Sequence, residues 1–213
     1  MECLQLLRSY LISAAFIAVS CLSSASASVV FEDVILDPGN KIRVELLEKA
    51  VHAYQNHKTK LKRQDQIVVV DYSRHSSKPR LYVVNLQTGK VSAHHTAHGR
   101  GSDYDHDGWL DSYSNKRGSQ ATSRGAYSGA ERYFGMHGAS LRLDGLEPDN
   151  ASARDRAIVL HSQPRYASPA FLGRYGKLGR SNGCIVVYKE ALEQVMRALE
   201  NGALLYVDGI GRS

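Results

Sequence analysis

Apolar positions along this chain are first spaced as in a helix and then gathered in short strand-like runs. Leu47, Ala50, Val51 and Tyr54 recur at helical spacing, and Asp37-Pro38 is a start signal because proline suits the first turn of a helix. The spacing predicts one amphipathic helix ending near His57. After a polar stretch through Gln64 the pattern shifts to β. Branched and aromatic residues dominate 67–72 and 81–86, which with 91–97 read as strands, and Thr88-Gly89 marks a hairpin turn between the last two. Residues 99–131 are rich in Gly, Ser, Asp and Tyr with little periodicity, and are expected to form a long functional loop or lid. Further on, 157–160 and 185–187 read as short buried strands, 191–200 as a helix and 203–207 as a closing strand. No repeat interrupts the chain, and the expected fold class is mainly β with flanking helices.

The N-terminus carries a different signal. Residues 11–22 are an apolar run too short to span a bilayer, with Arg8 ahead of it and Ala25-Ser26-Ala27 behind it as a cleavage site, so 1–27 read as a signal peptide. Export to the periplasm or cell envelope follows, with no stable membrane span after cleavage. Ala18-Val19-Ser20 before Cys21 loosely resembles a lipoprotein processing site, which leaves a lipid anchor on Cys21 as the lesser alternative. Removing 27 residues from 213 leaves 186, enough for one domain with its own core. Residues 28–63 are read as an N-terminal helix and linker, and 64–213 as a catalytic domain. The formal charge of +6 suits anionic surroundings, but no stripe of Lys and Arg with interleaved aromatics appears, which argues against nucleic acid.

Cysteine usage narrows the chemistry. Of three cysteines, Cys3 and Cys21 fall in the signal, leaving Cys184 as the single thiol of the mature chain, in a compartment where thiols tend to be oxidised. A buried structural cysteine is the bland alternative. Its neighbours favour exposure of the thiol: Gly179-Arg180-Ser181-Asn182-Gly183 is a flexible, cation-bearing turn leading straight into Ile185-Val186-Val187. A thiol near neutrality needs a base or cation beside it, and His161, ending the apolar stretch 157–160, is the candidate. Backbone N–H groups at Asn182, Gly183 and Cys184 are candidate donors to an oxyanion.

These residues resemble a known family. His161 followed by Ser181-Asn182-Gly183-Cys184 is similar to the His…Ser-x-Gly-Cys signature of YkuD-type L,D-transpeptidases, and the murein L,D-transpeptidase branch is matched more widely. Arg80-Leu81-Tyr82-Val83, Ser114-Asn115-Lys116, Ser123-Arg124-Gly125-Ala126-Tyr127 and Gly135-Met136-His137-Gly138 carry the likeness. So do Leu141-Arg142-Leu143-Asp144-Gly145-Leu146-Glu147 and Ala153-Arg154-Asp155-Arg156-Ala157-Ile158. The resemblance implies a curved catalytic β-sandwich acting on the stem peptides of peptidoglycan without a required cofactor. In it Cys184 attacks the carbonyl of the third residue of a tetrapeptide stem, usually diaminopimelate. The terminal D-Ala leaves, and the thioester passes to an amine of a neighbouring stem. His161 would be the base, while Ser181 and Gly183 would shape the turn and oxyanion site. Two departures stand out: Asn182 replaces a histidine common in the family, and Ser162 replaces the glycine that commonly follows the base.

Other residues have plainer readings beside the functional ones. His137-Gly138 are candidates to line the substrate cleft, against an ordinary structural histidine. His94, His95 and His98 are not read as metal ligands, because strand neighbours point to opposite faces and no ligand set accompanies them. Asp103-x-Asp105-x-Asp107-Gly108 with Asp111 resembles an oxygen-ligand loop for a structural calcium, though Ser114 stands where a bidentate acid is expected. Arg154, Arg156 and Arg180 are either grips for stem carboxylates or surface cations. Two readings compete with transfer: hydrolysis of the same stems by an L,D-carboxypeptidase or endopeptidase, and a wall-binding module with an inert cysteine.

Overall fold

The computed structural model describes residues 28–209, so the signal-peptide reading of 1–27, with Cys3 and Cys21, lies outside the described residues. The elements in order are β1 (Val29–Phe31), β2 (Val34–Leu36), α1 (Val44–His57), β3 (Gln66–Asp71), β4 (Leu81–Asn85), β5 (Val91–His94) and β6 (Thr96–Ala97). They continue with β7 (Gly125–Gly135), β8 (Gly138–Gly145), β9 (Val159–Ser162), α2 (Pro169–Tyr175), β10 (Ile185–Val187), α3 (Lys189–Leu199) and β11 (Leu204–Asp208). The class is mainly β with flanking helices, as expected.

Nine strands form one sheet in the order β5-β4-β3-β11-β7-β8-β9-β10-β6, parallel at β3/β11 and β9/β10. Its two outermost strands, β5 and β6, are separated in the chain by His95 alone, so the sheet must curl until its ends meet. Inside the curl Val68, Val70, Leu81, Leu141, Leu143, Leu160, Ile185, Val187, Leu205 and Val207 form one core, closed by Val195, Met196 and Leu199 of α3. On the outer face α1 seals Ile67, Val69, Val84 and Leu204 with Leu46, Leu47, Ala50 and Tyr54. With both faces covered, the run Ile67-Val68-Val69-Val70 is continuously apolar, and its alternation shows only in which core each side chain enters.

Helix α1 begins at Val44, not at Asp37-Pro38. Asp37 takes φ 52° and accepts the Ile42 N–H through Oδ2 at 2.7 Å, so proline sits in a turn ahead of the helix. The expected loop at 99–131 ends sooner, because β7 begins at Gly125 and pairs with β8 in a long hairpin. That hairpin escapes a periodicity reading because its outer half leaves the core: Phe134 is 86% exposed and Met136 92% exposed.

Candidate active site

Cys184 is placed by its turn. The Ser181 N–H donates to the His98 carbonyl at 2.8 Å and the Ser181 carbonyl accepts from Arg100 N–H at 2.8 Å, so the turn is laced to 98–100 like an extra strand. Ser181 Oγ accepts the Gly183 N–H at 3.1 Å and donates to the Cys184 carbonyl at 2.8 Å. Ser181 therefore does shape the turn, but it takes up the Gly183 N–H. Of the three amides expected as oxyanion donors, this leaves those of Asn182, which is exposed, and Cys184. Gly183 has φ 112°, and a Cβ there would stand 2.7 Å from the Ala121 carbonyl and 2.9 Å from Ile158 Cδ1, so only glycine fits. The half-buried Cys184 side chain packs against the cluster of Ala97, Ala167, Leu178 and Val186, and its thiol faces the Ala157 carbonyl at 3.6 Å. Burial pushes the thiol above its ordinary range, while the Val159 N–H and the Arg156 charge pull the other way.

His161 lies on β9, whose parallel partner β10 sets Leu160 opposite Ile185 and His161 opposite Val186. Leu160 and Ile185 enter the inner core, so by alternation His161 and Cys184 share the outer face of neighbouring strands, two residues apart in register. The imidazole is 1% exposed, and its Nδ1 is 3.0 Å from the Ser162 carbonyl. A carbonyl only accepts, so Nδ1 carries the proton and Nε2 is left as the basic nitrogen. Burial pulls His161 down to about 4 against the Ser162 contact, helped by His137 stacked on it at 4.1 Å and 17°. It is neutral at physiological pH.

A second histidine sits beneath the Cys184 turn. Arg80, fully buried, donates from Nε to the Thr96 carbonyl at 2.9 Å, from Nη1 to the Arg74 carbonyl at 2.8 Å and from Nη2 to His98 Nδ1 at 2.8 Å. Because guanidinium only donates, His98 carries its proton on Nε2 and gives it to Asp103 Oδ2 at 2.9 Å. Burial, then the Arg80 charge, pulls His98 down to about 4. Burial alone would raise Asp103, but its hydrogen bonds from His98 and Gly108 and the Arg180 charge prevail and hold it at about 2. The hairpin reading gave His98 no role beyond its strand. Its position shows only in three dimensions, since its partners come from residues 80 and 103 and its carbonyl holds residue 181.

The remaining candidates fall on different sides of this centre. His137 and Gly138 turn the tip of β7–β8, where they line a groove of about 660 Å³ with Phe134, Met136, Ser162 and Arg165. A larger groove of about 830 Å³, lined by Lys60, Lys62 and Arg154 among others, holds Arg154 alone of the candidates. Arg180 donates to the carbonyls of Asp103 and Tyr104, and Arg154 is held by Glu131 and Asp144, so both are occupied within the fold. Asp103, Asp105 and Asp111 each bring one oxygen within 4.8 Å of the others, a candidate cation cluster. Asp107, the fourth residue of that pattern, accepts the Trp109 N–H at 2.9 Å. His95 stacks on Tyr188 at 4.9 Å, and the described residues show no metal-binding group that includes His94, His95 or His98.

Residues 39–207 match a family model described as the L,D-transpeptidase catalytic domain. No curated protein matches the chain. Among solved structures, an L,D-transpeptidase from Mycobacterium tuberculosis H37Rv is 17% identical, covering 68% of this chain and 57% of that one, with a TM-score of 0.38. Bd1075 of Bdellovibrio bacteriovorus is 13% identical over 69% of this chain and 49% of that one, with a TM-score of 0.43. The helical cell shape determining protein Pgp2 of Campylobacter jejuni is 14% identical over 79% and 57%, with a TM-score of 0.42. This chain thus spans about half the length of the solved structures it matches.

Proposed function

This chain belongs to the L,D-transpeptidase catalytic domain family, and on that premise we propose that it is an exported murein L,D-transpeptidase that works through a thioester on Cys184. The reading is supported by the placement of a half-buried thiol and a neutral imidazole on the same face of adjacent parallel chain segments, the imidazole's Nδ1 facing the Ser162 carbonyl and its Nε2 left basic.

His161 Nε2 takes the thiol proton as the sulfur attacks the carbonyl of the third residue of a tetrapeptide stem. The oxyanion is met by the amides of Asn182 and Cys184. On collapse the C–N bond to D-Ala breaks, His161 returns the proton to the departing amine, and a thioester remains. The amine of a neighbouring stem then attacks the thioester, giving its proton to His161, and the thiolate leaves with a new peptide bond formed. His137, stacked on His161 and lining the groove beside it, borders the path by which a stem arrives.

Mass spectrometry of enzyme mixed with defined stems tests the proposal. A tetrapeptide stem is expected to leave an adduct of the stem minus D-Ala on Cys184, and a pentapeptide ending in D-Ala-D-Ala to leave none. Excess acceptor stem is expected to turn the adduct into a cross-linked dimer. Free tripeptide without dimer at any acceptor concentration would make the chain a carboxypeptidase, and no adduct with any wall fragment would remove it from murein chemistry.

A further inference from the structure

Arg156 differs from its neighbouring cations. Arg154, two residues earlier, is clamped by Glu131 and Asp144, and Arg132 by Glu193 and Glu200. No carboxylate lies within ion-pair distance of Arg156 among the described residues. Its guanidinium is ringed by neutral acceptors: Nη1 donates to the Ser114 carbonyl at 2.8 Å and to Ser123 Oγ, and Nη2 to Ser119 Oγ at 3.3 Å and the Ala121 carbonyl at 2.5 Å. Four acceptors fix the plane of the group and none cancels its charge. Nη2 stands 3.2 Å from where a Cβ of Gly183 would be, directly behind the turn that presents Cys184.

We infer that Arg156 is the standing counter-charge of the Cys184 thiolate, a positioning residue that acts through the nucleophile and not a grip on substrate carboxylates. The assignment rests on the reading of Cys184 as the nucleophile. Tyr72 and Tyr166, the other titratable groups coupled to the thiol, are both pushed up to about 12 by burial and carry no charge near neutrality. His161, on the neighbouring strand, is neutral as well. Arg80 and Arg180 lie beneath the turn, where Arg80 reaches the Asp103 carboxylate through His98 and the Arg180 charge helps hold that carboxyl low. Within this set Arg156 is the cation that no carboxylate faces, and the thiol responds to it. Division of labour follows: an imidazole held neutral accepts the proton, and a fixed cation that never titrates near neutrality supports the anion left behind.

Alkylation of Cys184 by iodoacetamide, followed by mass spectrometry across pH, tests this without any wall substrate. Arg156→Gln is expected to slow alkylation at pH 7 about tenfold and to move the midpoint of the pH profile upward. Arg156→Lys keeps the charge and loses part of the hydrogen bonding, and is expected to stay within about twofold of the wild type. Ser119→Ala removes one acceptor and no charge, and is expected to leave the profile unchanged. A folded Arg156→Gln whose profile overlays the wild type overturns the assignment. So does a profile that moves as far in Arg156→Lys and Ser119→Ala, since Arg156 would then be only a pin for the 114–123 loop. Should Arg156→Gln fail to fold, Arg156→Lys decides: an unchanged midpoint supports the counter-charge and a tenfold loss overturns it. An unchanged profile counts against Arg156 alone, whereas the absence of a stem adduct counts against the transferase reading.

Discussion

At the scale of single residues, Cys184 and His161 are separable experimentally. Cys184→Ala removes the covalent step and little packing volume, so it is expected to melt like the wild type and to form no acyl-enzyme; turnover near the wild-type rate would sink the mechanism. His161→Gln keeps a polar side chain in the pocket but no base, and acylation measured by stopped-flow is expected to slow by roughly 100-fold or more. An undiminished rate would transfer the role to another group, His137 first, since its ring lies against His161. Both candidate residues stand out in the sequence beside an apolar stretch and a glycine turn, although His161 lies within β9 (Val159–Ser162) and not after a strand at 157–160. The protonation state of His161 is not legible there, because it depends on burial and on a carbonyl contact that only the folded chain supplies.

At the scale of elements, two joints hold the site. The turn before β10 depends on Gly183, and Gly183→Ala adds a Cβ into the Ala121 carbonyl at a φ that side chains rarely adopt. The variant is expected to lose on the order of 1–3 kcal/mol of stability and to present the thiol poorly; wild-type melting and alkylation would mean the turn relaxes freely. Helix α1 is tied to the sheet by Arg43, whose Nε and Nη2 meet the buried Asp71 carboxylate at 3.0 and 3.1 Å. Arg43→Met leaves that carboxylate without its cation and is expected to cost about 3 kcal/mol in urea unfolding, with no change in stem specificity. A change below about 0.5 kcal/mol would show the pair to be dispensable. Strands 67–72, 81–86 and 203–207 were readable because their residues are apolar on both faces, whereas the β7–β8 hairpin was not, because half of it serves the groove and the solvent.

At the scale of the whole molecule, two buried imidazoles make stability depend on pH. His161 and His98 are both drawn down to about 4, below the ordinary value near 6.5, so the unfolded chain binds protons that the native chain refuses. Their contribution is complete above about pH 6.5 and is lost as pH falls toward 4, each on the order of 3 kcal/mol. Urea unfolding is therefore expected to be flat between about pH 7 and 8.5 and to weaken steadily from about pH 6.5 to 4.5; equal stability at about pH 7 and 4.5 would show that neither ring is held neutral. The sequence by itself determined the β-rich class and set Cys184 at a glycine turn, because these rest on local periodicity and on residue types adjacent in the chain. Tertiary structure alone decided that β5 and β6 close one curled sheet, that Arg80, His98 and Asp103 meet beneath residue 181, and that Arg156 faces Gly183 without a carboxylate. Those arrangements bring together side chains from distant segments, and pairing of that kind is set by strand register and burial, which no local pattern records.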